Sequence, residues 1–258
     1  MRLTFAREVV PELLDSLSPY DPAAQRSRRD LQRVHRVMDT RGILLCALRQ
    51  LPIRHDVAAP LQVLELGAGD GTLMLGVARA MKGEWPKVAL TLLDRQNLLN
   101  PSTTEKYARA GWTVTARVSD VFDWAAGDAT AWLPAHAAPH WDLIVVNLFL
   151  HHFQTPQLSA LLAAIAARTE HFVACEPRRA WLAWVGSHLI GVLGTNAVTR
   201  EDAVLSVRAG FCGTELQTLW PTISASRSLA EYPAGLFSHC FVAARNPGEA
   251  VGTSMEAG

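Results

Sequence analysis

Before Pro60 the apolar residues recur at helical spacing: Leu31, Val34, Val37 and Met38 stand at intervals of three and four with arginines between them, and Ile43 to Leu51 continues apolar. From Leu61 the period changes. The runs LQVLEL, VALTLLD, WTVTARV, DLIVVNLF and HFVACE read as strands, separated by helical stretches at Thr72 to Met81, Pro101 to Arg109 and Gln157 to Arg168. Strands that alternate with helices imply a parallel sheet covered on both faces. After Glu176 comes an apolar stretch, AWLAWVGSHLIGVLG, and then TREDAVLSVRAGF, where Thr199 followed by Asp202 predicts an N-cap with an acid in the first turn. Two late strands, near Glu215 to Trp220 and Ser238 to Ala244, are expected to close the sheet. The pattern divides the chain into a helical N-terminal cap at 1–58 and an α/β domain at 59–246, with an apolar helical insertion or lid at 177–211. A flexible tail at 247–258 follows.

Composition narrows the partners. The 258 residues are 49% hydrophobic, enough for a sizeable core, and Lys+Arg equal Asp+Glu at 24 each. With no global field to attract a phosphate backbone, nucleic acid is a poor partner and a small, roughly neutral molecule a better one. Cys46, Cys175, Cys212 and Cys240 are far apart in sequence and form no CxxC pair, so they read as reduced thiols and no metal site is expected. The N-terminus carries charges through its apolar stretch, and no run reaches the roughly 18 apolar residues of a membrane span. A cytoplasmic protein, monomer or homodimer, is expected.

The chemistry is concentrated at VLELGAGDGT, residues 63 to 72. A strand that runs into Gly67, Gly69 and Gly71 and then a helix places bare backbone at the carboxyl edge of a sheet, where such sheets bind ligands. The next strand ends at Asp94, where an acid can accept hydrogen bonds from both hydroxyls of a ribose. A dinucleotide fingerprint needs a third glycine five places after the first, and that position is Thr72. Asp70, just before Gly71, is wrong for a diphosphate and suits a cationic ligand.

ELGAGDGT after the first strand, Asp94 ending the second, Ser119-Asp120 after the third and DLIVVNLFLHHF at the fourth resemble the motif series of class I S-adenosylmethionine-dependent methyltransferases over residues 60 to 245. The resemblance implies a doubly wound, mostly parallel, seven-stranded Rossmann-like α/β sheet and S-adenosyl-L-methionine as cofactor, leaving as S-adenosyl-L-homocysteine. By position, Glu65, Gly67, Ala68, Gly69 and Gly71 would line its methionine part, Asp94 with Arg95 would hold the ribose, and Asp120 with Val121 would flank the adenine. Asn147 and Leu148 would lie beneath the sulfonium.

Asn147 is followed by Leu148-Phe149-Leu150, not the two prolines and aromatic of the amino-directed nucleic-acid enzymes, and no cysteine stands nearby to act as the nucleophile of the RNA enzymes. His151-His152 resembles instead the small-molecule branch that includes the ubiquinone and menaquinone methyltransferases and many natural-product enzymes. One of the two imidazoles, with His151 preferred, is a candidate base for a phenolic or enolic proton. The alternative is that both histidines only pack the loop. Glu176 is placed to orient the base, or to serve as a helix N-terminal acid. Arg178 and Arg179 are candidates for a substrate carboxylate, and Trp181, with Trp184, for a lid over an aromatic or lipid-like acceptor. His35, Arg36 and Met38 in the cap could close over the same site. RTEHF at 168–172 departs from the proline and two glycines of the quinone enzymes, which separates this chain from their substrate but not from the cofactor. The expected reaction is methyl transfer to oxygen, or activated carbon, of a small apolar phenolic or polyketide-like acceptor. The competing readings are an NAD(P)-dependent oxidoreductase and a non-catalytic cofactor-binding protein.

Overall fold

The structure is a computed structural model that describes residues 5–18, 20–53, 59–128, 130–133, 140–222 and 227–246. The tail expected at 247–258 lies outside the described residues. Seven strands form one sheet in the order β3-β2-β1-β4-β5-β7-β6. They are β1 (Leu61–Leu66), β2 (Val88–Asp94), β3 (Trp112–Val118), β4 (Trp141–Asn147), β5 (Thr169–Pro177), β6 (Arg227–Ala234) and β7 (Ser238–Arg245). The first five are parallel; β7 runs antiparallel to β5, and β6 antiparallel to β7. The chain builds outward from β1 in one direction, returns, and builds from β4 in the other. The crevice between the carboxyl ends of β1 and β4 is therefore a topological switch point, where ligands of such sheets bind.

The central strand β1 is buried along its whole length, Gln62 and Glu65 included, and its apolar side chains, alternating in direction, feed two cores. Val63 joins Leu90, Leu143 and Val145 beneath the helices α3 (Thr40–Arg49), α4 (Thr72–Ala80) and α5 (Pro101–Arg109). Leu64 and Leu66 join Ile144 and Val146 beneath α6 (Val121–Ala126) and α7 (Thr155–Arg168). The helix starts are written locally. Asn100 caps α5 by accepting from the Thr103 amide, Pro101 follows at the first turn, and Gln154 with Gln157 closes a capping box on α7.

The lead-in is helical, with α1 (Leu13–Ser16) and α2 (Pro22–Val37) ahead of α3, and the insertion carries α8 (Trp181–Leu189), a 3-10 turn at Ile190–Leu193 and α9 (Ala197–Ala209). Two expectations need correction. Residues Glu215–Leu219 form a helix, α10, and the edge strand is β6, whose Pro233 is tolerated there. Glu231 on β6 accepts from the Leu216 and Gln217 amides, which anchors the α10 start, and Trp220 stacks on Phe172. The N-cap of α9 is Asn196, which accepts from Thr199, and not Thr199 itself. Asp202 turns away from its own helix and accepts from the Leu13 and Leu14 amides, tying the N-terminal segment to α9. No helix among the described residues is long and apolar enough to cross a membrane.

Candidate active site

The turn after β1 is the floor of the site. Gly67 has φ 70° and Gly69 φ 56°, a region that side chains rarely adopt. A Cβ on Gly67 would lie 2.4 Å from the Phe149 ring, whereas one on Gly69 would meet nothing within 4 Å. Gly67 thus lets the turn close against the β4 loop, and Gly69 presents bare backbone to the cavity. The Gly67 and Ala68 amides donate to the Leu93 carbonyl, and Asp70 accepts from the amide and hydroxyl of Thr72. Asp94 accepts from the Gly69 amide through Oδ2 and from the Gln96 amide through Oδ1, each at 2.9 Å. Two of its roughly four lone-pair positions remain for a ligand. Asp120 caps α6 through the Phe122 amide, with Val121 buried behind it.

The turn and the neighbouring strand ends line a cavity of about 710 Å³, within the usual range for a small-molecule site. Glu65, Gly67, Ala68, Gly69, Asp94, Arg95, Asp120, Val121, Asn147 and Leu148, all expected at the cofactor, line it together with His151 and His152. Gly71 and Glu176 stand just behind that lining. Glu65 is 3% exposed and its Oε2 has no partner among the described residues; the Asn147 Oδ1 has none either. Burial, and then the charges of Asp70 and Asp94, raise the Glu65 carboxyl well above its ordinary value. Leu148 carries a left-handed φ of 49°, uncommon for a residue with a side chain, directly at the site.

Beyond β4 a 3-10 turn, Leu150–His152, carries the two histidines in different environments. Glu176, fully buried at the end of β5, accepts from the Phe149 and Leu150 amides at 3.0 and 2.9 Å and from His151 Nδ1 at 2.8 Å. On the other side of the ring, His151 Nε2 lies 3.2 Å from Glu12 Oε1, which also accepts from the Ser206 hydroxyl. Burial alone would lower the His151 pKa, but hydrogen bonds to Glu12 and Glu176, with their charges, raise it to about 9. At neutral pH it is an imidazolium that donates from both nitrogens. His152 is shifted the other way, down, by burial and then by the positive charge of His151, with its Nδ1 3.4 Å from Asp15. Ligand atoms of Glu12, His151 and His152 lie within 4.8 Å of one another. Both ring nitrogens of His151 already point at carboxylates, so ion pairing accounts for this close approach.

Three expected substrate residues stand outside the cavity lining. Arg178 donates through its amide to the Phe237 carbonyl. Arg179 is buried in an ion pair with Glu215 and donates to the carbonyls of Phe5 and Gly210. Trp181 is 54% exposed on the outer surface of α8. In the cap, His35 lines the cavity, with burial lowering its pKa to about 4, whereas Arg36 and Met38 do not. Glu12, Asp15, Gln32 and Ser206 also line the cavity and are not among the expected site residues. No motif marks them, and Glu12 meets His151 across 139 positions. Arg7 secures the N-terminal segment by donating to the carbonyls of His151, Phe153 and Ala209.

No protein-family model matches the chain, and no curated protein matches it in sequence. Solved structures do match. The chain is similar to the plantazolicin methyltransferase BpumL in complex with SAH, with a TM-score of 0.59 and 11% identity over 88% of this chain and 91% of that one. It also matches magnesium protoporphyrin IX methyltransferase from Synechocystis with bound SAH, at TM-score 0.46 and 13% identity over 90% and 91% of the two chains. Human N-acetylserotonin methyltransferase in complex with SAM matches at TM-score 0.48 and 18% identity over 92% of this chain and 60% of that one. At such identities the likeness is one of fold.

Proposed function

We propose that the chain, which has the fold of the class I S-adenosylmethionine-dependent methyltransferases, is itself such an enzyme and methylates an oxygen of a small, largely apolar acceptor with an acidic hydroxyl, phenolic or polyketide-like. The observation that carries the reading is the pair of buried acceptors without partners, Glu65 Oε2 and Asn147 Oδ1, beside the glycine turn. Buried acceptors call for donors, and a carboxylate crowded by Asp70 and Asp94 calls for positive charge. A cationic amino-acid group meets both needs. The diphosphate of a nicotinamide dinucleotide would face three acids instead, which weighs against the oxidoreductase reading.

When bound, S-adenosylmethionine supplies a methyl group on a sulfonium leaving group. Glu65 and Asn147 would accept from its ammonium, Asp94 would use its remaining lone pairs on the ribose hydroxyls, and Asp120 with Val121 would flank the adenine. The chain's own task is to hold the acceptor in line and take its proton. We assign the proton to His152, reversing the preference for His151. A base must be neutral before it acts. The buried charge of His151, held by Glu12 and Glu176, keeps its neighbour unprotonated and open to the cavity. His151 is then a positioning residue.

Thermal denaturation tests the cofactor. S-adenosylhomocysteine should raise the melting temperature and NADH should not, because a ligand bound by the native state alone stabilises it. The opposite pair of results would refute the assignment.

A further inference from the structure

The helix α8 is turned inside out. Its buried positions are small, Ala183 and Ser187, and a Cβ on Gly186 would lie 2.7 Å from the Phe237 ring, so the inner face fits only small residues. Most of its large apolar side chains are exposed instead. Trp181, Leu182 and Trp184 are 54%, 52% and 39% exposed, and in the 3-10 turn region Leu189, Val192 and Leu193 are 60%, 87% and 37% exposed. The helical spacing of Trp181, Trp184, His188 and Val192 places them along one stripe, with Leu182 and Leu189 along the next. The turn that holds Phe237 carries a further exposed leucine, Leu236. An amphipathic helix of a water-soluble surface has the opposite polarity, and a patch of this size marks an interaction site.

Charge indicates what covers it. Between Glu176 and Glu201 there is no acidic residue, while Arg178, Arg179 and Arg200 are present. Arg200 packs its side chain along Gly191 in the 3-10 turn, and Arg26 of α2 donates to the Gly194 carbonyl, so two guanidinium groups stand at one end of the apolar face. Arg178 stands at the other. A second copy docked face to face about a two-fold axis would bring the arginines of the two copies together, with no carboxylate at 177–200 to offset them. Anionic headgroups supply the missing negative charge, acyl chains take up the leucines and valine, and tryptophan suits the boundary between the two.

We propose that the outer face of α8 and the following 3-10 turn seats the protein on an anionic lipid surface. The helices packed next to this face line the cavity: α9, packed on α8, contributes Ser206, and α2, packed on α9, contributes Leu31, Gln32 and His35. An apolar acceptor dissolved in the bilayer would thus be delivered beside the site, a consequence that rests on the methyltransferase reading.

Co-sedimentation of the full chain with phosphatidylcholine vesicles, with and without phosphatidylserine, tests the surface. The protein should pellet with the phosphatidylserine vesicles, and less so as salt rises. Leu189→Ser combined with Val192→Ser should lower the partition coefficient on the order of tenfold or more. Arg200→Gln should lower it about fivefold on anionic vesicles and leave it unchanged on phosphatidylcholine. The thermal shift with S-adenosylhomocysteine, measured on each variant, reports the fold and the cofactor site independently. Loss of that shift in the parent protein sinks the methyltransferase reading and leaves the vesicle result to decide this one. The proposal is overturned if the parent protein stays in the supernatant, or if the double variant pellets equally well. It is also overturned if the parent is a dimer that the double variant converts to monomers, which would assign the face to a second copy.

Discussion

The imidazolium of His151 ties stability to pH in a way that can be measured. In the unfolded chain its pKa is near 6.5, and in the folded protein Glu12 and Glu176 hold it at about 9. Folding therefore favours the protonated ring. The stabilisation is complete below pH 6.5 and is lost as pH rises through about 9. The shift corresponds to about 3 kcal/mol, with no allowance needed for solvent screening because the ring is 3% exposed. For a chain of this size that is roughly 6 to 12 °C in melting temperature. His151→Asn removes the titrating group while keeping one donor of similar reach. The melting temperatures of parent and variant, followed by calorimetry from pH 6 to about 10, should differ most at the acid end and converge at the alkaline end. His35 and His171 have depressed values of about 4, both lowered chiefly by burial. Both favour the neutral ring, so stability falls as pH drops from 6.5 towards 4, but parent and variant share them and their effect cancels in the difference. A difference between parent and variant that stays constant across that range would refute the buried imidazolium and, with it, the reason for a neutral His152.

Two further predictions address the chemistry. His152→Ala should lower turnover by about 100-fold or more with S-adenosylhomocysteine affinity unchanged, and alkaline pH should restore part of the rate for a phenolic acceptor that then arrives ionised; full activity measured with the identified acceptor would return His152 to a packing role. Glu65→Gln should leave the ligand-free protein as stable as before or more so, because a buried carboxylate crowded by Asp70 and Asp94 is removed. It should also weaken cofactor binding by roughly 10- to 150-fold through loss of a charge-assisted hydrogen bond. Titration calorimetry that shows equal affinities in parent and variant would rule out a cationic group at that carboxylate.

Local chemistry decided a large part of this protein. The aliphatic runs, the caps at Asn100 and Gln154 and the first-turn Pro101 encode strands and helices within a few residues of where they stand, because propensity and period act over one or two turns. The glycine turn and the acids at Asp94 and Asp120 are legible for the same reason: each sits at a strand end, and parallel order brings strand ends to one edge. Tertiary structure decided the rest. Glu215–Leu219 reads as a strand in the sequence and is a helix, whose first amides are anchored by Glu231 on a later strand. Arg178 and Arg179 look available in sequence, but Arg179 is drawn into an ion pair with Glu215. The protonation of His151 depends on Glu12, which no local pattern connects to it, and the two adjacent histidines diverge because His151 is held between Glu12 and Glu176, whereas at His152 burial and the charge of His151 outweigh the nearby carboxylates. A pKa, an exposed face or an orphaned acceptor is set by the field and burial of residues distant in sequence, and these exist only once the chain has closed around them.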